Sequence, residues 1–149
     1  EGVMTRHEAR TQAFLLLFEQ SLNHSMVDQL IDMAEEAGSL MPEDTSPDTP
    51  PKPVDDFAVQ LATGVEAHRE ELDAIISRYA RGWSVRRLSK VCLSLLRIAL
   101  FEMRYADDIP ISVSINEAVE LAKTYGGADD APFINGILGT AAKELASNG

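Results

Sequence analysis

The chain has one cysteine, three histidines and no apolar run long enough to cross a bilayer, and these scarcities remove several kinds of chemistry at the outset. Cys92 has no partner for an internal disulfide and stands inside an apolar helical stretch, which fits a reducing cytoplasm and a small buried hydrophobe rather than a catalytic thiol. His7, His24 and His68 fall on separate segments, none with a second ligand at helical spacing. No His-Glu-x-x-His or Cys-x-x-Cys spacing occurs, and no glycine-rich phosphate loop follows a strand. Glu117 and Glu120 share a helix face, but an exposed pair of carboxylates is ordinary solvated surface. No nucleophile, acid–base pair, metal site or cofactor is therefore predicted, and the chain reads as a non-enzyme. The first twenty residues lack the ordered basic start, apolar core and small-residue cleavage pattern of a secretory leader, so the expected location is cytoplasmic, without membrane contact.

Basic residues are also scarce: 13 Lys and Arg stand against 24 Asp and Glu, a net charge of −11 that argues against a nucleic-acid partner. Their distribution argues the other way. Residues 78–104 hold Arg78, Arg81, Arg86, Arg87, Lys90, Arg97 and Arg104 against Glu102 alone, while the segments on either side are strongly acidic. One cationic block is thus set in an anionic molecule.

At 149 residues, with 45% hydrophobic and 25% charged side chains, the chain fits a single soluble domain over 1–149 with a sizeable core. Its organising stretch is Ser89–Tyr105. Between Val91 and Phe101 only Ser94 and Arg97 are polar, and a helix apolar nearly all round must be covered on several sides. Lys90, Ser94, Arg97 and Arg104 form its one polar seam.

Around this helix the remaining segments also show helical periodicity. Thr5-Arg6-His7-Glu8 has the form of a capping box, followed by an apolar face of Ala9, Ala13, Leu16 and Leu17 running to about Leu22. Ser25 is expected to open a second helix that Gly38 closes. Residues 39–53 hold five of the seven prolines and read as an acidic surface loop. Asp55 or Asp56 caps a third helix, a break near His68-Arg69 leads to a fourth, and Gly82-Trp83 ends it. A short helical turn is expected over Ser84–Leu88, with Ser89 starting the central helix. Ser112 or Ser114 is expected to cap a sixth helix, with Gly126-Gly127 closing it and Asp129 or Asp130 opening the last. Gly136 and Gly139 inside that last helix predict a close backbone approach. No strand-like alternation occurs, so the fold class is all-α with about seven helices.

The second half carries an ordered series of phrases: Trp83 with Arg87-Leu88, Leu96-Arg97-Ile98-Ala99, Phe101-Glu102, Ile109-Pro110, Ile115-Asn116-Glu117-Ala118-Val119-Glu120-Leu121-Ala122-Lys123 and Phe133-Ile134-Asn135-Gly136-Ile137-Leu138, preceded by Phe57 through Gly64-Val65. This series resembles the NusB transcription-antitermination family. The resemblance implies two helical subdomains packed across each other and an RNA-binding accessory factor. Such a factor binds the boxA element of nascent RNA in ribosomal RNA operons, together with the small-subunit ribosomal protein NusE, and helps load an antitermination complex on RNA polymerase. Some members form homodimers.

Carried over by position, the family's arginine-rich helix start corresponds to Arg6, His7 and Arg10, with Glu8 interrupting the cluster and reducing its pull on phosphates. The resemblance further implies Asp129, Phe133 and Asn135 as RNA contacts, Phe133 by stacking on an unpaired base and Asn135 by bonding a base edge. Lys90 joins this set from the basic block, while Phe18, Arg86 and Arg87 are assigned to partner contact. Arg97 is expected to form a structural ion pair with Glu117 or Glu120. Two alternatives stay open: a homodimeric interaction module with weak or no RNA binding, and the NusB-like part of an rRNA cytosine methyltransferase, which would require a catalytic domain outside this sequence.

Overall fold

The computed structural model describes residues 5–37, 54–80, 82 and 85–148. The expected loop over 39–53, the Gly38 cap, Arg81 and Trp83 lie outside the described residues. Among the described residues seven α-helices follow one another: α1 (Arg6–Asn23), α2 (Val27–Ala37), α3 (Asp56–Ala67), α4 (Arg69–Tyr79), α5 (Lys90–Tyr105), α6 (Ile111–Tyr125) and α7 (Asp130–Asn148), with a 3-10 turn at Val85–Arg87 before α5. No strand occurs among the described residues. The chain divides into two compact units, residues 1–66 and 67–149.

In the first unit the capping box forms as its spacing requires. The Thr5 hydroxyl accepts from the Glu8 amide at 3.0 Å, and the Glu8 carboxylate accepts from the Thr5 amide at 2.9 Å. Ala9, Ala13, Phe14, Leu16 and Leu17 of α1 are buried, as are Val27, Leu30 and Ala34 of α2, which packs on α1. Two buried glutamines of α1 satisfy groups that other segments leave open. Gln12 accepts at Oε1 from the Asp55 amide at 2.9 Å, and Gln20 donates to Glu66 of α3 at 2.8 Å and to the Ser25 carbonyl at 3.0 Å.

The start of α2 departs from expectation. It begins at Val27 instead of following a Ser25 cap, because the Val27 amide donates to the Glu66 carboxylate 39 residues away, at 3.1 Å. A long-range acceptor has taken the place of the local one. At α3, Asp55 is the capping aspartate: its Oδ1 accepts from the Phe57 amide at 2.8 Å.

The second unit is built on α5. Ser89 caps it, accepting from the Cys92 amide at 3.0 Å, and Cys92, Leu95, Leu96, Ile98, Ala99 and Leu100 are all buried. Helices α4, α6 and α7 each pack on α5, and α7 also packs on α4 and α6. Ser114 does not cap α6, which starts at Ile111 after Pro110 with no side-chain cap. Ser114 lies buried in that helix, and its hydroxyl donates to the buried Glu102 carboxylate of α5 at 2.8 Å. Ser114 stands three residues before Glu117, the spacing of a capping box, but the core claimed the hydroxyl, since a buried carboxylate needs a donor more than an exposed helix end does.

Gly136 and Gly139 of α7 also depart from expectation: a Cβ at either would meet nothing within 4 Å, so no neighbouring backbone requires a glycine there. Gly126 is the constrained one. A Cβ there would lie 2.6 Å from the Asp130 carboxylate and 2.9 Å from the Ala122 carbonyl oxygen.

Candidate nucleic-acid interface

The first unit contributes the start of α1. Arg6 and His7 are exposed there, in the first turn of the helix, whose open amides favour negative charge. Glu8 closes the capping box with its carboxylate. Arg6 and Arg10, four residues apart, lie on one face, and both guanidinium groups sit over the ring of Phe57, at 3.9 and 5.4 Å from its centroid. Arg10, assigned with Arg6 to RNA contact, is only 4% exposed, so its charge lies beneath the surface and Arg6 is the arginine of this pair that solvent reaches. Phe18, assigned to partner contact, is half-buried and stacks on Phe14 with centroids 5.8 Å apart.

The second unit sorts the basic block into two kinds of residue. Arg97 donates through Nε and Nη2 to the two carboxylate oxygens of Asp73 on α4, both at 2.8 Å, a bidentate pair that replaces the expected one with Glu117 or Glu120. Arg104 Nε lies 2.6 Å from Glu71, and Arg78 lies 3.2 Å from Glu144. Arg86, Arg87 and Lys90, by contrast, are exposed and form no salt bridge among the described residues. The seam on α5 divides accordingly: Ser94 is buried, Arg97 and Arg104 fasten α4, and Lys90 faces solvent with no salt bridge among the described residues.

Helix α7 begins near the same end of α5. Asp130 in its first turn accepts from the Gly127 amide at 3.0 Å, and its charge adds to burial in pushing the Cys92 thiol up to about 12, so the first turns of α5 and α7 are neighbours. Asp129 is exposed beside them, and its carbonyl accepts from the Phe133 amide at 3.3 Å. Phe133 is half-buried, and Asn135 is exposed. Two residues apart on a helix, these side chains do not point the same way.

The sequence reading missed Phe57 as a platform for the α1 arginines, although two arginines at an i, i+4 spacing are a signal that they share one neighbour. It also missed Asp73 and Glu71 as partners of the basic block. Another cluster surrounds Glu71: Tyr105 donates to both its oxygens at 2.8 Å, and the His68 ring stacks on Tyr105 with centroids 4.6 Å apart. Among the described residues, no three His, Cys, Asp or Glu side chains could hold a metal ion, and no helix is long and apolar enough to cross a membrane.

These features match known proteins over nearly the whole chain. The NusB family model covers residues 7–143. The transcription antitermination protein NusB of Carboxydothermus hydrogenoformans is 46% identical over 143 residues, covering 95% of each chain. Its counterpart in Listeria innocua is 40% identical over 141 residues, covering 95% of this chain and 98% of its own. Among solved structures, T. maritima NusB superposes with a TM-score of 0.80 at 31% identity, covering 96% of this chain and 94% of that one. A structure of the antitermination factors NusB and NusE in complex with double-stranded RNA matches with a TM-score of 0.74 at 25% identity, over 95% of this chain and 99% of that one. With its helical fold, capped α1 and apolar α5, the chain belongs to the NusB family of transcription antitermination proteins.

Proposed function

We propose that this protein acts in the cytoplasm as an antitermination factor, binding boxA-type single-stranded RNA jointly with NusE and supporting transcription of ribosomal RNA operons as part of an RNA polymerase antitermination complex. It acts by binding, with no catalytic step. The observation that carries this reading is the likeness over 95% of the chain to a NusB solved with NusE and RNA. The charge pattern supports it: Arg6 and His7 are exposed at the start of α1, and Arg86, Arg87 and Lys90 are exposed before and at the start of α5. The family-matched Asp129, Phe133 and Asn135 stand at the start of α7, whose first turn neighbours that of α5.

Within this reading Arg6, His7 and Lys90 hold phosphates, Phe133 and Asn135 meet bases, and Phe18, Arg86 and Arg87 face the protein partner. Arg10 supports Arg6 from beneath. A titration of labelled boxA RNA, with and without NusE at two salt concentrations, tests it. Binding should tighten with NusE and weaken with salt, and Arg6→Ala should shallow the logarithmic salt slope by about 0.7. A tight homodimer that shifts no RNA in either condition would overturn the proposal.

A further inference from the structure

We infer that Phe57 is a positioning residue for RNA binding, acting through Arg6. This rests on the proposed function and adds to it a residue on a different helix from the cation it controls. Arg6 is the first residue of α1, where an exposed, flexible side chain would ordinarily sample many rotamers and lose that freedom on binding. Here its guanidinium carbon sits over the Phe57 ring, 3.9 Å from the centroid. Both arginine and ring are thereby fixed in a geometry where the ring's negative face offsets part of the cation's desolvation.

The backbone that carries the ring is held in turn. The Phe57 amide donates to Asp55 at 2.8 Å, and the Asp55 amide donates to the buried Gln12 of α1 at 2.9 Å. The guanidinium of Arg10, buried and 5.4 Å from the same centroid, adds a further contact. Helix α1 thus grips the start of α3, and α3 returns a platform to the first turn of α1. The platform leaves the exposed Arg6 charged and aimed, which lowers the ordering that RNA must impose on it.

The test is a double-mutant cycle on RNA affinity, with NusE present, using labelled single-stranded boxA RNA as the probe. Phe57→Leu keeps an apolar side chain on α3 while removing the ring. It should weaken RNA binding about two- to fivefold, with the salt slope unchanged because no charge has been lost. Phe57→Tyr, which keeps the ring, should bind as the parent does. In an Arg6→Ala background, Phe57→Leu should produce no further loss. Far-UV circular dichroism on each variant reports any loss of fold, and the tyrosine variant keeps the test valid if the leucine variant proves unstable, since it must still bind normally.

Additive losses from Arg6→Ala and Phe57→Leu, or leucine binding equal to the parent's, would overturn the inference while leaving RNA binding intact. Absence of RNA binding by the parent protein, or an Arg6→Ala variant that binds normally, would instead remove the functional reading beneath it.

Discussion

The bidentate pair between Arg97 and Asp73 gives the sharpest stability prediction. The two bonds are 2.8 Å each, with the arginine side chain 14% and the aspartate 27% exposed, so the pair sits at the edge of the core with limited screening. A hydrogen bond to a charged group contributes about 1.5–3 kcal/mol net. Two parallel bonds sharing one pair of ions are not independent, and the partial exposure favours the low end. Asp73→Ala should therefore cost about 2–3 kcal/mol, part of it from leaving a largely buried guanidinium without its carboxylate. At about 3 °C per kcal/mol for a chain of this size, the thermal midpoint should fall by about 6–9 °C.

Replacing both residues with leucine should recover most of the loss, because it removes the stranded charge along with its partner. The assay is urea unfolding followed by circular dichroism for the parent, both single variants and the double. A coupling energy above about 1 kcal/mol is expected. Glu120→Gln serves as the control: Glu120 is exposed beside Lys123, and its loss should change stability by under about 0.5 kcal/mol. If Asp73→Ala fell in that same range, the account of how α4 is fastened to α5 would be wrong.

Three further outcomes follow from the same geometry. Gly136→Ala, with nothing in the way of a Cβ, should stabilise by about 1 kcal/mol, whereas Gly126→Ala must displace Asp130 or the Ala122 carbonyl and should lower the thermal midpoint; equal shifts in the two variants would contradict the packing described. Cys92, its thiol pushed up to about 12 chiefly by burial, should resist alkylation at pH 8 in the native protein and react only as urea unfolds the chain; rapid labelling without denaturant would be inconsistent with that burial. Glu71 is held below the usual carboxylate range, first by the Tyr105 hydroxyl and then, against some desolvation, by Arg104 and His68. A depressed folded value means that Glu71 stabilises the fold above the ordinary carboxylate pKa and that this contribution fades as pH falls through the folded value. Tyr105→Phe should move its titration, followed by carbon-13 NMR of the carboxyl, back toward the ordinary range; an unmoved midpoint would discount the hydroxyl.

Much of the architecture follows from local rules. The capping box at Thr5–Glu8 and the Ser89 cap formed because each partner lies within three residues, a distance over which the chain has few alternatives. The apolar girdle of α5 forced a central position, since so little of its circumference can face water. The break at His68 and the short turn before α5 were also marked by composition and spacing.

Partner choice between distant segments was not determined locally. Ser114 had a plausible cap three residues from Glu117, yet a buried carboxylate twelve residues earlier claimed its hydroxyl. The start of α2 was fixed by Glu66 instead of Ser25, and Arg97 chose Asp73 over two glutamates that sequence alone made equally reachable. Residue type and spacing decided where helices form and which residues carry charge. Only the folded chain decided which charges meet, because a buried charge takes whichever complementary group packing brings within 3 Å or so, and sequence distance does not enter that selection. Packing likewise left Arg10 under the surface while Arg6, one turn away, stayed at it.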